Sequence, residues 1–340
     1  MADRFFDLSP QDRRDAIETA SQASRRPSVL LEKDVWVVWT IDVLFRSPDG
    51  EDLLFKGGTS LSKAYGAIRR FSEDVDITFD IRALAPDLVD KNGDGLPPNR
   101  SQLKKWRDVI DERLPAWVAD VVLARIDGAI RAERLPARAI ADGDRIRIEY
   151  DALATGEEYV QRSVLLEFGA RSIITPFERK PITCDAARYL TGVTFPDAEP
   201  QVMRIERTFW EKATAAHVFC IKEQTRADRF ARHWHDIARL DEGGHANRAI
   251  ADRETAECVA AHKAAFFRET GPDGGAIDYD AAIRGRLRLV PRGEAHARLA
   301  TDYDAMVNAG ILEDNSESFD ELMDRCRDVE RKANEAGRAG

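Results

Sequence analysis

No apolar run in the chain approaches the roughly 20 residues that crossing a bilayer requires. The first residues, MADRFFDLSPQDRR, hold no apolar segment of the signal-peptide kind, so the cytoplasm is the expected location, with no membrane partner. Cysteine is scarce, and Cys184, Cys220, Cys258 and Cys326 stand far apart. With no C-x-x-C pair, a zinc ribbon or dithiol redox site is excluded and reduced thiols are expected. The formal charge of −10 excludes broad coating of nucleic acid and confines any such contact to a local basic face. Neither G-x-x-x-x-G-K-[ST] nor G-x-G-x-x-G occurs, which removes the P-loop and the dinucleotide fingerprint. Asp90-Lys91-Asn92-Gly93-Asp94-Gly95 begins like a calcium loop, but Ser101 stands where the bidentate glutamate belongs and Pro97-Pro98 follow, so an ordinary surface loop is expected. There is no internal repeat.

What is present suits an α+β protein. With 340 residues, 43% of them hydrophobic, the chain can bury two cores. Ser9, Pro10 and Asp12 cap a first helix to Ala23. The near-3.6 apolar period of Ser28–Phe45 predicts a buried helix, with Glu32-Lys33-Asp34 as its solvated polar end. Helical patterning runs from Ser101 to Val122 and on to about Glu133, and β-branched, partly alternating segments fill Arg145 to Ile174. These should extend a sheet begun by Phe55 and by Val75 to Phe79. The proline-bearing stretch from Pro176 to Pro200 reads as a connection, giving domains 1–190 and 191–340. Helices follow in VMRIERTFWEKATAAHVFC and RADRFARHWHDIARL, and RKANEAGRAG should be frayed.

The chemistry concentrates between Leu53 and Asp80, in LLFKGGTSLSKAYGAIRRFSEDVDITFD. A short strand enters Lys56-Gly57-Gly58-Thr59-Ser60, a helix is expected over LSKAYGAIRR, and a buried strand carries Asp74 and Asp76. Residues two apart on a strand face one way, so both carboxylates share a face while Val75 and Ile77 turn to the core. Such a pair suits Mg²⁺ (or Mn²⁺), which keeps water and phosphate oxygens beside a few carboxylates. Glu167 is the candidate third ligand because a charge inside the apolar run Val164-Leu165-Leu166-Glu167-Phe168-Gly169 is costly unless paired, and Glu149 is the weaker option. Gly57, Gly58, Thr59 and Ser60 permit close approach of a triphosphate, to which Lys56 and Lys63 add charge. Farther on, Arg226, Arg229, Arg232 and Arg239 could form a stripe for an RNA backbone, with Arg229 and Arg232 the leading contacts, although a solvated helix face reads almost as well. His233 and His235 lack a ligand at i, i+4 spacing and are assigned no metal.

KGGTSLSK followed by RRFSEDVDI resembles the first two motifs of the AbiEii-type toxin nucleotidyltransferases, within the DNA polymerase β-like superfamily. Glu206-Arg207-Thr208-Phe209-Trp210-Glu211-Lys212 is similar to the family's later Glu-Lys helix. Arg232-His233-Trp234-His235-Asp236 resembles its Arg-Asp-x-x-Asp, with histidine in place of the first aspartate, and Glu32-Lys33-Asp34 resembles the helix before the turn. The resemblance covers Glu32 to Leu240. It implies a polymerase β-like nucleotidyltransferase domain, a mixed sheet with flanking helices, followed by a mainly helical domain completing the cleft. It also implies Asp74 and Asp76 as metal-binding catalytic residues, a nucleotide seated by Gly57 to Ser60, Lys212 neutralising triphosphate, and Asp236 orienting that lysine or activating the acceptor. The implied activity is Mg²⁺-dependent transfer of a nucleoside monophosphate from an NTP to tRNA by a toxin whose antitoxin is encoded upstream. Nucleotide (GTP) binding without turnover and transfer to a protein hydroxyl are the alternatives.

Overall fold

The computed structural model describes residues 2–72, 74–153, 162–223, 228–312 and 317–339. The chain forms two compact units, Met1–Ala64, Glu73–Gly95 and Lys104–Met203 in the first, and Tyr65–Ser72, Leu96–Leu103 and Arg204–Gly340 in the second.

Seven strands of the first unit make one mixed sheet: β1 (Leu53–Lys56), β2 (Asp74–Phe79), β3 (Ala137–Asp142), β4 (Arg145–Tyr150), β5 (Ser163–Gly169), β6 (Phe177–Arg179) and β7 (Gln201–Met203). Their order is β3-β4-β5-β2-β1-β7-β6, with β5 parallel to β2, β7 parallel to β1, and the other neighbours antiparallel. The expected joining of Phe55, Val75–Phe79 and the Arg145 segment is present. The sheet is wider than the sequence suggested, since β6 lies in the stretch read as a connection and β7 in residues read as helix.

Alternation divides its two faces. Leu53, Phe55, Val75, Ile77, Val164, Leu166, Ile146 and Ile148 are fully buried, each contributing about 1.5–3 kcal/mol by leaving water. Helices α1 (Pro10–Ser24), α2 (Ser28–Phe45), α3 (Gly57–Lys63), α4 (Arg100–Trp117) and α5 (Leu123–Ala132) flank the sheet. Ser9 Oγ accepts the Asp12 N–H at 3.1 Å and Pro10 opens α1, as the cap predicted. Trp36 of α2 stacks on Tyr150 with centroids 4.9 Å apart, and Trp117 of α4 stacks on Phe79 at 4.2 Å. These helices therefore cover the apolar face.

Two local expectations are corrected. Glu32, Lys33 and Asp34 are 1%, 2% and 4% exposed rather than solvated. A helix apolar on nearly every side buries its charges as well, and here Glu32 Oε1 accepts the Leu153 N–H and Asp34 Oδ2 the Asp185 N–H. The helix after β1 starts at Gly57 and ends at Lys63, leaving AYGAIRR outside it. Gly66, at φ +59°, takes a left-handed conformation that no helix continues through.

The second unit is helical: α6 (Ile205–Lys222), α7 (Arg232–Glu242), α8 (His245–Ala251), α9 (Arg253–Phe266), α10 (Gly293–Asn308) and α11 (Phe319–Ala339). Its indoles are satisfied by backbone: Trp210 Nε1 donates to Ala249 O at 2.8 Å and Trp234 Nε1 to Leu289 O at 2.5 Å. The early segment Tyr65–Ser72 is stitched in by an antiparallel bridge from Arg70 to Leu312 and by Phe71 N–H donating to Ile311 O at 2.8 Å. Helix α11 continues to Ala339, where fraying was expected.

Candidate active site

On the polar face of the sheet, register aligns one charged row across five strands. Lys56 lies opposite Asp76, Asp76 opposite Glu167, Glu167 opposite Arg145, and Arg145 opposite Asp142. Signs alternate along this row except at Asp76 and Glu167. Like charges directly opposite are unfavourable, so that junction is where a cation would be most welcome. Asp74 stands two residues before Asp76 on the same face, opposite Leu165. Hard carboxylate oxygens from Asp74 and Asp76 thus fit Mg²⁺, an ion that needs few protein ligands.

Glu167 has a partner of its own. Arg145 Nη2 approaches its Oε1 at 2.8 Å, and among the described residues no three His, Cys, Asp or Glu side chains are gathered to hold a metal. Register therefore places Glu167 where the sequence proposed it, while the arginine neutralises it. Glu149 lies in another row, opposite Ser163 and paired with Arg138 at 2.6 Å.

The glycine turn is built against the acidic strand. Gly57 has φ +80°, and a Cβ there would stand 1.9 Å from Asp76 Oδ2. Only glycine lets the backbone pass so near that carboxylate. Thr59 Oγ1 donates to Asp74 O at 2.5 Å, and Ser60 Oγ to Gly57 O at 2.9 Å, so both hydroxyls fasten α3 to β2 and to itself. Gly58, Thr59 and Ser60 are buried.

Lys63 is largely buried between two carboxylates, with Nζ 2.7 Å from Asp34 Oδ1 and 2.8 Å from Asp185 Oδ1. Burial pushes its pKa down, but the two acids more than offset that and raise it, so the ammonium stays charged. Arg26 also pairs with Asp185. The charge expected to serve a triphosphate is thus neutralised within an ion cluster, and Lys56 alone of the two lysines lies in the row with Asp76.

In the helical unit, Asp236 is completely buried and shared by two cations. Arg70 grips it bidentately, Nε to Oδ1 at 2.7 Å and Nη2 to Oδ2 at 2.8 Å, and Lys212 Nζ lies 2.9 Å from Oδ2. Burial works against the charged carboxylate, but Arg70 and Lys212 overcome it and hold its pKa well below the usual range. Such a carboxylate is a weak base and a strong orienter. His235 Nδ1 stands 3.4 Å from Asp236 Oδ1. His233 replaces the motif's first aspartate, and burial, followed by Lys212, pushes its pKa well below the ordinary value. Its Nδ1 is buried without a hydrogen-bond partner among the described residues. Arg70 was not singled out from sequence; its signal was its place in RRFSEDVDI, directly before the acidic strand.

The expected arginine stripe is largely engaged within the chain. Arg239 pairs with Glu242 at 3.0 Å and with Glu317 at 2.5 Å, and Arg232 Nε donates to Arg229 O at 2.9 Å. Arg229 is exposed, and its N–H donates to Asp302 Oδ1 at 2.6 Å. Arg226 lies outside the described residues.

No curated protein matches the chain. A solved structure, MenT4, a nucleotidyltransferase toxin from Mycobacterium tuberculosis H37Rv, aligns over 96% of this chain and 98% of that one, with 17% identity and a TM-score of 0.41. The family model for the nucleotidyl transferase AbiEii toxin of type IV toxin–antitoxin systems matches residues 42–325. Because that match spans most of the sequence, the chain belongs to the AbiEii family and is a nucleotidyltransferase of the toxin class.

Proposed function

We propose that the protein transfers a nucleoside monophosphate from an NTP to a hydroxyl of an RNA acceptor, tRNA, with Mg²⁺ or Mn²⁺ held by Asp74 and Asp76. The observation that carries this reading is the pair of aspartates on one sheet face, with the Gly57 backbone set against Asp76 and like charges meeting at Asp76 and Glu167. The acceptor hydroxyl gives up its proton to solvent as its oxygen forms a bond to the α-phosphorus, the bond from that phosphorus to the bridging oxygen breaks, and pyrophosphate leaves with that oxygen. When bound, the ion neutralises charge on the reacting phosphate oxygens. Lys56, beside Asp76 in the row, adds positive charge for the phosphates. Thr59 and Ser60 keep the turn in register with the acidic strand. Lys212 is the proposed counter-charge for the triphosphate, and its Nζ, 2.9 Å from Asp236 Oδ2, supports the reading in which Asp236 orients it. A cognate antitoxin, encoded upstream, would keep the activity in check.

Transfer of label from each of the four NTPs into total tRNA, with and without Mg²⁺, tests this. Asp74→Ala should lower transfer by a hundredfold or more, on the order of 3 kcal/mol of transition-state stabilisation, with the fold retained. Transfer that persists in the variant, or label that enters protein and never RNA, would sink the reading.

A further inference from the structure

The helical unit carries a second concentration of chemistry, in Arg286-Leu287-Arg288-Leu289-Val290-Pro291-Arg292, which the resemblance did not reach. Leu287 and Leu289 are buried while Arg286, Arg288 and Arg292 are exposed, so the arginines point outward from an anchored strap. Side chains rather than a neighbouring strand satisfy its backbone. Asn334 accepts the Leu287 N–H at 2.7 Å and donates to Leu287 O at 3.0 Å. His217 Nδ1 accepts the Arg288 N–H at 3.0 Å, Glu330 Oε2 accepts the Leu289 N–H at 2.6 Å, and Trp234 Nε1 donates to Leu289 O. Such clamping fixes the backbone that carries the arginines before any ligand arrives, which lowers the backbone part of the ordering cost of binding.

Beside the strap lies a cavity of about 450 Å³ lined by Arg288, Arg292 and Arg327, with Glu223, Glu330 and Cys220. Glu330 is already committed to strap N–H groups, and Arg327 pairs with the exposed Asp324. Several other exposed arginines of the unit are paired, Arg284 with Glu257 and Asp280, Arg298 with Glu294, Arg325 with Glu242 and Arg331 with Glu335, while Arg100, Arg268 and Arg338 stand apart from the strap's cavity. Arg286, Arg288 and Arg292 have no ion pair among the described residues. In a chain of net charge −10, unpaired guanidinium groups on a pre-fixed strap call for an anionic partner, and guanidinium matches phosphate oxygens bidentately.

We infer that this strap and its cavity form a docking site for the phosphodiester backbone of the acceptor RNA, at Arg288, Arg292 and Arg327, with Arg286 alongside. The inference rests on the RNA-acceptor reading above. Binding of fluorescently labelled tRNA to the full chain is measured against salt concentration, for the native protein, for the triple variant Arg288→Gln, Arg292→Gln, Arg327→Gln, and for Arg298→Gln as a surface control. The triple variant should bind at least about tenfold more weakly, and its salt slope should fall by about 2 to 3, the loss of three phosphate contacts. Arg298→Gln should match the native protein, and all three should share one thermal midpoint. Native affinity and slope in the triple variant would overturn the docking site and leave the RNA reading standing. Failure of the native chain to bind tRNA would overturn both. Lost affinity for free NTP with RNA binding intact would make the cavity a nucleotide site and overturn the proposal.

Discussion

At the scale of single residues, Gly57 is the most exposed to test. A side chain there meets Asp76 Oδ2 at 1.9 Å and also forces a non-glycine residue to φ +80°, a strain of about 1–2 kcal/mol before the clash is counted. Gly57→Ala should lower urea stability by about 1–3 kcal/mol and reduce transfer far more than stability, because Asp76 is displaced. Equal transfer by the two proteins would show that the position of Asp76 does not matter. The meeting of Asp76 and Glu167 makes a further expectation independent of turnover. Mg²⁺ at a hundredfold excess over its Kd should stabilise the native protein by about 2.7 kcal/mol. It should do so much less for Asp74→Ala, as thermal melting would report.

Asp236 belongs to the same scale. Its folded pKa lies below the unfolded value of about 3.9, so its contribution is present above that pH and is lost as pH falls through the folded value. Asp236→Asn leaves Arg70 and Lys212 buried against a neutral group and should cost about 3–5 kcal/mol near neutrality. The gap between variant and native protein should narrow only below about pH 4, which unfolding measured from pH 7 to pH 3 would check.

At the scale of elements, the cluster joining α2, α3 and the segment at Asp185 explains what the sequence could and could not disclose. The D-x-D strand, the Ser9 cap and the buried α2 were legible because each rests on local spacing or a local hydrogen bond. The partners of Lys63 were not: Asp185 lies 122 positions away, and no local pattern pairs them. The same holds for the grip of Arg70 on Asp236, and for β7, whose three residues are too few to show a period. The strap did carry a signal of its own in its alternating arginine and leucine. Lys63→Met should destabilise the chain by about 3–5 kcal/mol by leaving Asp34 and Asp185 together in the interior. An unchanged urea midpoint with a raised KM for NTP would place Lys63 on the nucleotide instead.

The clamp on the strap has its own pH signature. Burial first, and Arg288 next, push His217 down to about 4, while Asp278 opposes them weakly. The unfolded chain takes up that proton near pH 6.5, so the contribution of His217 is complete above 6.5 and is lost as pH falls towards 4. The loss is about 3 kcal/mol once both states are protonated. His217→Gln should flatten the stability profile across that window, and an unaltered slope would show that the neutral imidazole contributes nothing.

At the scale of the whole molecule, the chain does not divide at one cut. The helical unit includes Tyr65–Ser72 and Leu96–Leu103 as well as everything from Arg204. A fragment of residues 204–340 keeps Asp236 but lacks Arg70, and loses the strand partner of Leu312. It should melt without a cooperative transition, whereas the intact chain melts sharply; a sharp melt from the fragment alone would show the early segment to be dispensable.

The bidentate bond between Arg70 and Asp236 spans 166 positions of sequence. At a synthesis rate of about 5–20 residues per second, the guanidinium waits roughly 8–33 seconds for its carboxylate to be made. Lys212 is made before its carboxylate too, so the ion cluster that orients it closes only after most of the toxin has been synthesised.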